Sequence, residues 1–212
     1  MRQFPIDDNI TNWVVGARHE PLTSVAHLVT SLGNTLTLVL VVIGVFVMAW
    51  LANRIDLAAL IVLGGLSGYF LMVILKLIFA RDRPPIGGRL LDVGGNAFPS
   101  GHAMMSMLVY LLTAVILYRI YPKLRVRAAV LLWFPVLSIL IGLSRIYLGV
   151  HWASDVVFGW LFGIVWFGVC LFGHAQLVRR PAILRLAGDP MVSRTVPTTV
   201  AGSAGQDASR PS

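Results

Sequence analysis

The chain has 212 residues, 57% of them hydrophobic and only 12% charged, with a formal net charge of +8 at pH 7. Charged residues at about half the usual share cannot cover the surface of a soluble domain, so the composition indicates an integral membrane protein. The positive charge does not indicate nucleic-acid binding, because the basic residues sit in short loops and a tail rather than along a soluble face.

The opening "MRQFPIDDNI" has two aspartates and no apolar core, unlike a cleavable signal peptide. Residues 9–33 mix polar and apolar side chains, among them Trp13, Val14, Leu22, Val25 and Leu28. They predict one or two short amphipathic helices at the interface, so that 1–33 forms an N-terminal interfacial segment. An extra crossing is the alternative. Five stretches follow, at 35–52, 57–79, 101–121, 126–144 and 154–177, each near the ~20 residues a spanning helix needs. They predict an all-α integral membrane helical bundle over 34–178, with five transmembrane helices, or six if 9–33 crosses. Cys170 lies in an apolar run and reads as a small hydrophobe. From 179 to 212 the chain turns basic and then rich in Ser, Thr, Gly, Ala and Pro, which predicts a disordered tail.

If the spans alternate, Arg54, Arg119, Lys123, Arg125, Arg127, Arg179, Arg180 and Arg185 share one side. The positive-inside rule makes that side, and the tail, cytoplasmic. Lys76, Arg81, Arg83, Arg89 and Arg145 then lie outside, against the rule, and a bound anion would account for them.

The same alternation gathers a set of polar residues at the outward mouth of the bundle. Lys76 lies near the end of the second span, with Arg83 just beyond. Ser100 and His102 open the third, Arg145 ends the fourth, and His151 and Asp155 open the fifth. Lys76, Arg83 and Arg145 supply cationic donors, and the arginine forks suit phosphate oxygens. "PSGH" puts Ser100 and Gly101 at a helix N-terminus, where free N–H groups favour an anion and glycine permits close approach. The i, i+4 spacing of His151 and Asp155 lets the carboxylate hold one ring N–H and leave the other nitrogen free to attack. His102 is placed to protonate a leaving oxygen.

Each feature alone has a plainer reading. The His151–Asp155 pair could be structural, Ser100 a helix cap, Lys76 a snorkelling side chain, and Arg81 and Arg83 headgroup contacts. Their coincidence at one mouth argues for function. A metal site built on the histidines and aspartates is the weaker reading, because three cations in the cluster would repel a divalent ion. Asp82 and Asp92 read as solvated loop residues, and Tyr147 and Trp152 as interfacial aromatics.

"KLIFARDRP" (Lys76 to Pro84), "PSGH" (Pro99 to His102) and "SRIYLGVHWASD" (Ser144 to Asp155) resemble the three signature motifs of the type 2 phosphatidic acid phosphatase superfamily. That superfamily includes bacterial undecaprenyl-diphosphate phosphatases and vanadium haloperoxidases. The resemblance implies metal-independent hydrolysis of a phosphate ester or anhydride through a phosphohistidine, with no cofactor. By position it makes His151 the nucleophile, Asp155 its orienting group and His102 the general acid. Lys76, Arg83, Ser100, Gly101 and Arg145 would hold the phosphoryl oxygens. The expected substrate is a lipid phosphate or diphosphate in the bilayer of a bacterial plasma membrane, hydrolysed at an outward-facing site. Undecaprenyl diphosphate is preferred over phosphatidic acid or phosphatidylglycerol phosphate. The alternatives are a lipid phosphotransferase using the same residues and a non-enzymatic transporter of anionic lipids.

Overall fold

In the computed structural model, which describes residues 4–187, the chain is helical throughout its regular parts. Helix α1 (Pro5–Gly16) starts on a proline and carries Asp7 and Asp8 in its first turn, where carboxylates complement the helix dipole. Helix α2 (Glu20–Ser31) also has a proline in its first turn. It meets α3 (Thr35–Leu51) at a bend of 47°. Helix α4 (Ile55–Phe79) ends at Ala80, whose left-handed φ of 41° turns the chain sharply into the loop. Then come α5 (Gly101–Ile120), the short α6 (Pro122–Val126), α7 (Trp133–Tyr147) and α8 (Ala153–Ala187).

Among the described residues, four segments are long and apolar enough to cross a membrane: Ile55–Phe79, Gly101–Ile120, Ala128–Tyr147 and Ala153–Val178. The first predicted span, 35–52, differs. Helix α3 has 17 residues and is about 25 Å long, short of a ~30 Å hydrocarbon core. It passes as a span only together with α2, which makes the pair one broken crossing or a re-entrant segment. Sequence periodicity treats α2 as interfacial because its polar residues hide its continuity with α3. The fourth span begins as a 3-10 turn, Ala128–Leu132, before α7 becomes regular. The Ser-, Thr-, Gly-, Ala- and Pro-rich part of the predicted tail, from 188 on, lies outside the described residues.

Helices α3, α4 and α5 enclose one core, with Val45, Ala49, Leu57, Ile61, Leu108 and Leu112 buried in it. Leu38, Val109, Tyr110 and Ile141 form a second, between α3, α5 and α7. The outer faces stay apolar: Phe70, Leu77 and Ile78 on α4 and Val165 and Phe172 on α8 are exposed, as lipid contact requires. Helix α8 meets α5 through Gly159 and Gly163, spaced as in the small-residue contacts of membrane helices. A Cβ on Gly159 would sit 2.9 Å from the Ser100 carbonyl oxygen, and one on Gly163 2.7 Å from that of Met104. This approach places the first turn of α8 against the start of α5, where the Ser100 N–H donates to the Asp155 carbonyl at 3.0 Å.

Candidate active site

The loop after α4 and the starts of α5 and α8 converge at one end of the bundle. Lys76, Arg83, Gly101, His102, Arg145 and His151 all line one cavity of about 650 Å³, within the size range of small-molecule sites. Ser100 and Asp155 are fully buried and lie outside its lining. The remaining wall is apolar and comes mainly from α3 and α4, including Leu38, Val42, Val62 and Met72. Val39, Ile43, Leu66 and Tyr69 both line the cavity and are exposed, so it opens between α3 and α4 on the lipid-facing surface.

Each cation is held from behind by protein oxygens. Lys76 Nζ donates to the Asn96 carbonyl at 2.7 Å, and Asn96 Nδ2 returns a bond to the Lys76 carbonyl at 2.8 Å. Arg83 donates through Nε to the Gly95 carbonyl (2.9 Å) and through Nη1 to that of Val150 (2.8 Å). Burial and the neighbouring Arg89 lower the pKa of Arg83, with Asp155 opposing. Arg145 Nη1 donates to Thr30 Oγ1 at 2.9 Å. Arg145 Nε and Ser100 Oγ are buried without a partner among the described residues. Unpaired buried donors are costly, and the oxygens of an anion would satisfy them. Ser100 occupies the N-cap position of α5, but its side chain makes no cap bond, so the helix-cap reading fails. Gly101 is required by contact: a Cβ there would lie 2.8 Å from Met72 Sδ on α4.

His151 is 2% exposed. Its Nε2 lies 3.2 Å from Arg83 Nη1 and its Nδ1 3.5 Å from Asp155 Oδ2. Arginine only donates, so Nε2 accepts and the ring proton sits on Nδ1, facing the carboxylate. At 3.5 Å that last contact is longer than a formed hydrogen bond, and Nδ1 has no other partner among the described residues. Catalytic bonds commonly tighten only when substrate arrives. Burial, then Arg83, Arg145, Lys76 and His102, push the His151 pKa well below the usual histidine value. The imidazole is therefore neutral, as a nucleophile must be.

A family model, "PAP2 superfamily", matches residues 57–179 of this sequence. The chain belongs to the PAP2 superfamily. A Bacillus subtilis phosphatidylglycerophosphatase B is 32% identical over 150 residues, covering 70% of this chain and 71% of its own. An undecaprenyl-diphosphatase of Sulfolobus acidocaldarius is 34% identical over 107 residues, 49% of this chain and 44% of its own. Among solved structures, a transmembrane PAP2-type phosphatidylglycerolphosphate phosphatase from Bacillus subtilis superposes with a TM-score of 0.77 at 27% identity. It covers 81% of this chain and 85% of that one. LpxE of Aquifex aeolicus gives 0.64 at 27% identity, over 81% and 98%. The protein is thus a membrane phosphatase, a hydrolase of phosphate esters.

Several residues of this PAP2 site escape sequence reasoning. Asn34, in the turn between α2 and α3, has its Oδ1 2.9 Å from His102 Nε2. Arg81, predicted with the anion-binding basic residues or as a headgroup contact, instead pairs with Asp7 and Asp155 at 2.7 Å each. Trp152, predicted as an interfacial aromatic, is buried, and its Nε1–H donates to the Asp82 carbonyl at 3.0 Å. Asp82 and Asp92 are exposed, and Tyr147 is half-buried with its hydroxyl 3.0 Å from Thr23 Oγ1.

Proposed function

We propose that the protein hydrolyses the terminal phosphate of a membrane lipid phosphate or diphosphate through a phosphohistidine on His151. The observation that carries this reading is the buried His151, with Nε2 turned to Arg83 and Nδ1 to Asp155, beside a cavity whose charged side chains among the described residues are Lys76, Arg83 and Arg145. The phosphate sits among the cations and the N–H groups that open α5, which neutralise charge on the transferring group. His151 Nε2 attacks phosphorus, the bond to the leaving oxygen breaks, and Asp155 stabilises the charge that the ring acquires. His102 gives its proton to that oxygen. Water then attacks phosphorus, the P–N bond breaks, His102 takes back a proton, and inorganic phosphate leaves. No step in this scheme calls on a metal or cofactor.

The apolar cavity wall supports a substrate whose hydrocarbon chain stays in the bilayer while its phosphate reaches the cations. Away from the cations, Thr35 and Tyr69 bring the side-chain hydroxyls on that wall, which gives little for reading a glycerol headgroup. A polyprenyl diphosphate such as undecaprenyl diphosphate is therefore placed ahead of phosphatidylglycerol phosphate. The relative aligned over more of the chain carries a phosphatidylglycerophosphatase name, so both lipids belong in the test. Phosphate release in detergent with a chelator present should give a higher kcat/KM for the diphosphate. The reverse order would overturn the preference, and no release from any lipid would overturn the reading.

Charge sorting supports an outward-facing site and a cytoplasmic C-terminus, with Arg54, Arg119, Lys123, Arg125 and Arg127 at the opposite end of the bundle. The acid role makes a further prediction. Asn34 fixes the His102 ring, so Asn34→Ala should slow turnover about tenfold on a lipid with a poor leaving alkoxide. On an aryl phosphate, whose leaving group needs no proton, the rate should change little. Equal losses on both would remove Asn34 from the acid's support.

A further inference from the structure

The mechanism above uses only one member, Asp155, of a buried ionic cluster. Asp7 on α1, Arg81 after α4 and Asp155 on α8 are 0%, 1% and 0% exposed. Arg81 Nη2 donates to Asp7 Oδ2 at 2.7 Å, and Arg81 Nη1 donates to Asp155 Oδ1 at 2.7 Å. Ser154 closes the cluster: its N–H donates to Asp7 Oδ1 (2.9 Å), and its Oγ lies 2.7 Å from both Asp7 Oδ2 and Arg81 Nη1. The guanidinium lies 5.7 Å from the Phe4 ring centre and 5.8 Å from that of Trp152. The other oxygen of Asp155, Oδ2, accepts the Trp152 N–H at 2.9 Å and faces His151.

The charges decide what this arrangement does. Arg81 alone would neutralise Asp155 and remove the negative charge that a phosphorylated imidazole needs beside it. Asp7 adds a second carboxylate, so the three groups together carry a net charge of about −1 when ionised. Burial pushes the Asp7 pKa up, but bonds from Arg81 and Ser154 outweigh it and hold it below the usual carboxylate value. Asp7 therefore stays ionised at neutral pH.

We infer that Asp7 is a positioning residue of the reaction: through Arg81 it fixes Asp155 and offsets the guanidinium charge, leaving Asp155 free to support the imidazole of His151. The amphipathic helix is thereby part of the active site. This inference rests on His151 being the nucleophile. Helix α1 has independent anchorage, because Ile10 and Val14 pack against Ala103, Ile146, Ala153 and Val156. Removing the Asp7 charge should leave it docked.

The test uses the full chain in detergent micelles, with phosphatidic acid as probe, and three variants: Asp7→Asn, Arg81→Gln and the double. Asp7→Asn should lower kcat about 10- to 100-fold, with KM within about twofold of wild type, because it acts on the step and not on phosphate binding. The double variant restores the net charge of the cluster, so its kcat should exceed that of either single variant. A structural role for Asp7 predicts otherwise: losses that accumulate in the double variant and track the folded fraction measured by thermal unfolding. Asp7→Asn within threefold of wild type, or a double variant no better than the worse single, would overturn the inference. His151→Ala, run in parallel, separates this failure from that of the nucleophile reading. If His151→Ala still turns over, the nucleophile reading falls; if it is inactive and Asp7→Asn is normal, only the role of Asp7 falls.

Discussion

His151→Ala is expected to abolish turnover, with a loss of at least ~10⁴-fold, because it removes the group that takes the phosphoryl, and His102, the other imidazole in the cavity, lacks the carboxylate behind its ring that Asp155 gives His151. The protein should remain folded. The substitution removes a neutral ring and leaves no buried charge newly unpaired: Asp155 keeps its bonds from Arg81 and the Trp152 N–H. The depressed His151 pKa adds a constraint on the wild type. In the free enzyme the nucleophile stays deprotonated below the ordinary histidine value, so kcat/KM should show no acid-side fall near pH 6.5 assignable to His151. Residual wild-type-like phosphate release from His151→Ala would remove the nucleophile from the mechanism. An NMR titration of the free wild-type protein in which the His151 ring takes up its proton near pH 6.5 would contradict the neutral-imidazole argument.

Arg145→Met should lower kcat/KM about 10²- to 10³-fold, the usual effect of deleting one donor aimed at developing charge. Methionine keeps much of the side-chain length and removes only the fork. Arg145→Lys should recover little, because an ammonium on one nitrogen lacks the planar fork that reaches Thr30 with one arm and presents the other to the phosphate. Stability should not fall in parallel. The free site gathers Lys76, Arg83 and Arg145 around one cavity, and removing one of three like charges relieves repulsion. Activity assays together with thermal unfolding would check this. A Met variant that loses stability in proportion to activity would make Arg145 a structural residue.

Much of this arrangement is legible in the sequence because its governing patterns are short. The i, i+4 spacing of His151 and Asp155, the helix start at Ser100–Gly101 and the helix ends at Lys76 and Arg145 are local. Alternating spans then carry them to one end of the bundle. What stays hidden depends on pairings across long separations. Asp7 is 74 residues from Arg81, and in sequence it reads as one of two interfacial carboxylates. Arg81, two residues from Arg83, shares its basic context, and only the left-handed turn at Ala80 sends it inward to a different partner. Asn34 reads as a turn residue because nothing local ties it to His102. Hydropathy finds α3 but not its bend with α2, since the polar residues of α2 separate it from the strong apolar run of α3.

The cavity's opening between α3 and α4 has a kinetic consequence. A substrate that enters sideways never leaves its leaflet, so the enzyme samples a two-dimensional solution. Its rate then follows the mole fraction of phosphorylated lipid in the micelle or vesicle. Diluting that lipid with inert amphiphile slows the reaction even when its total molarity is unchanged.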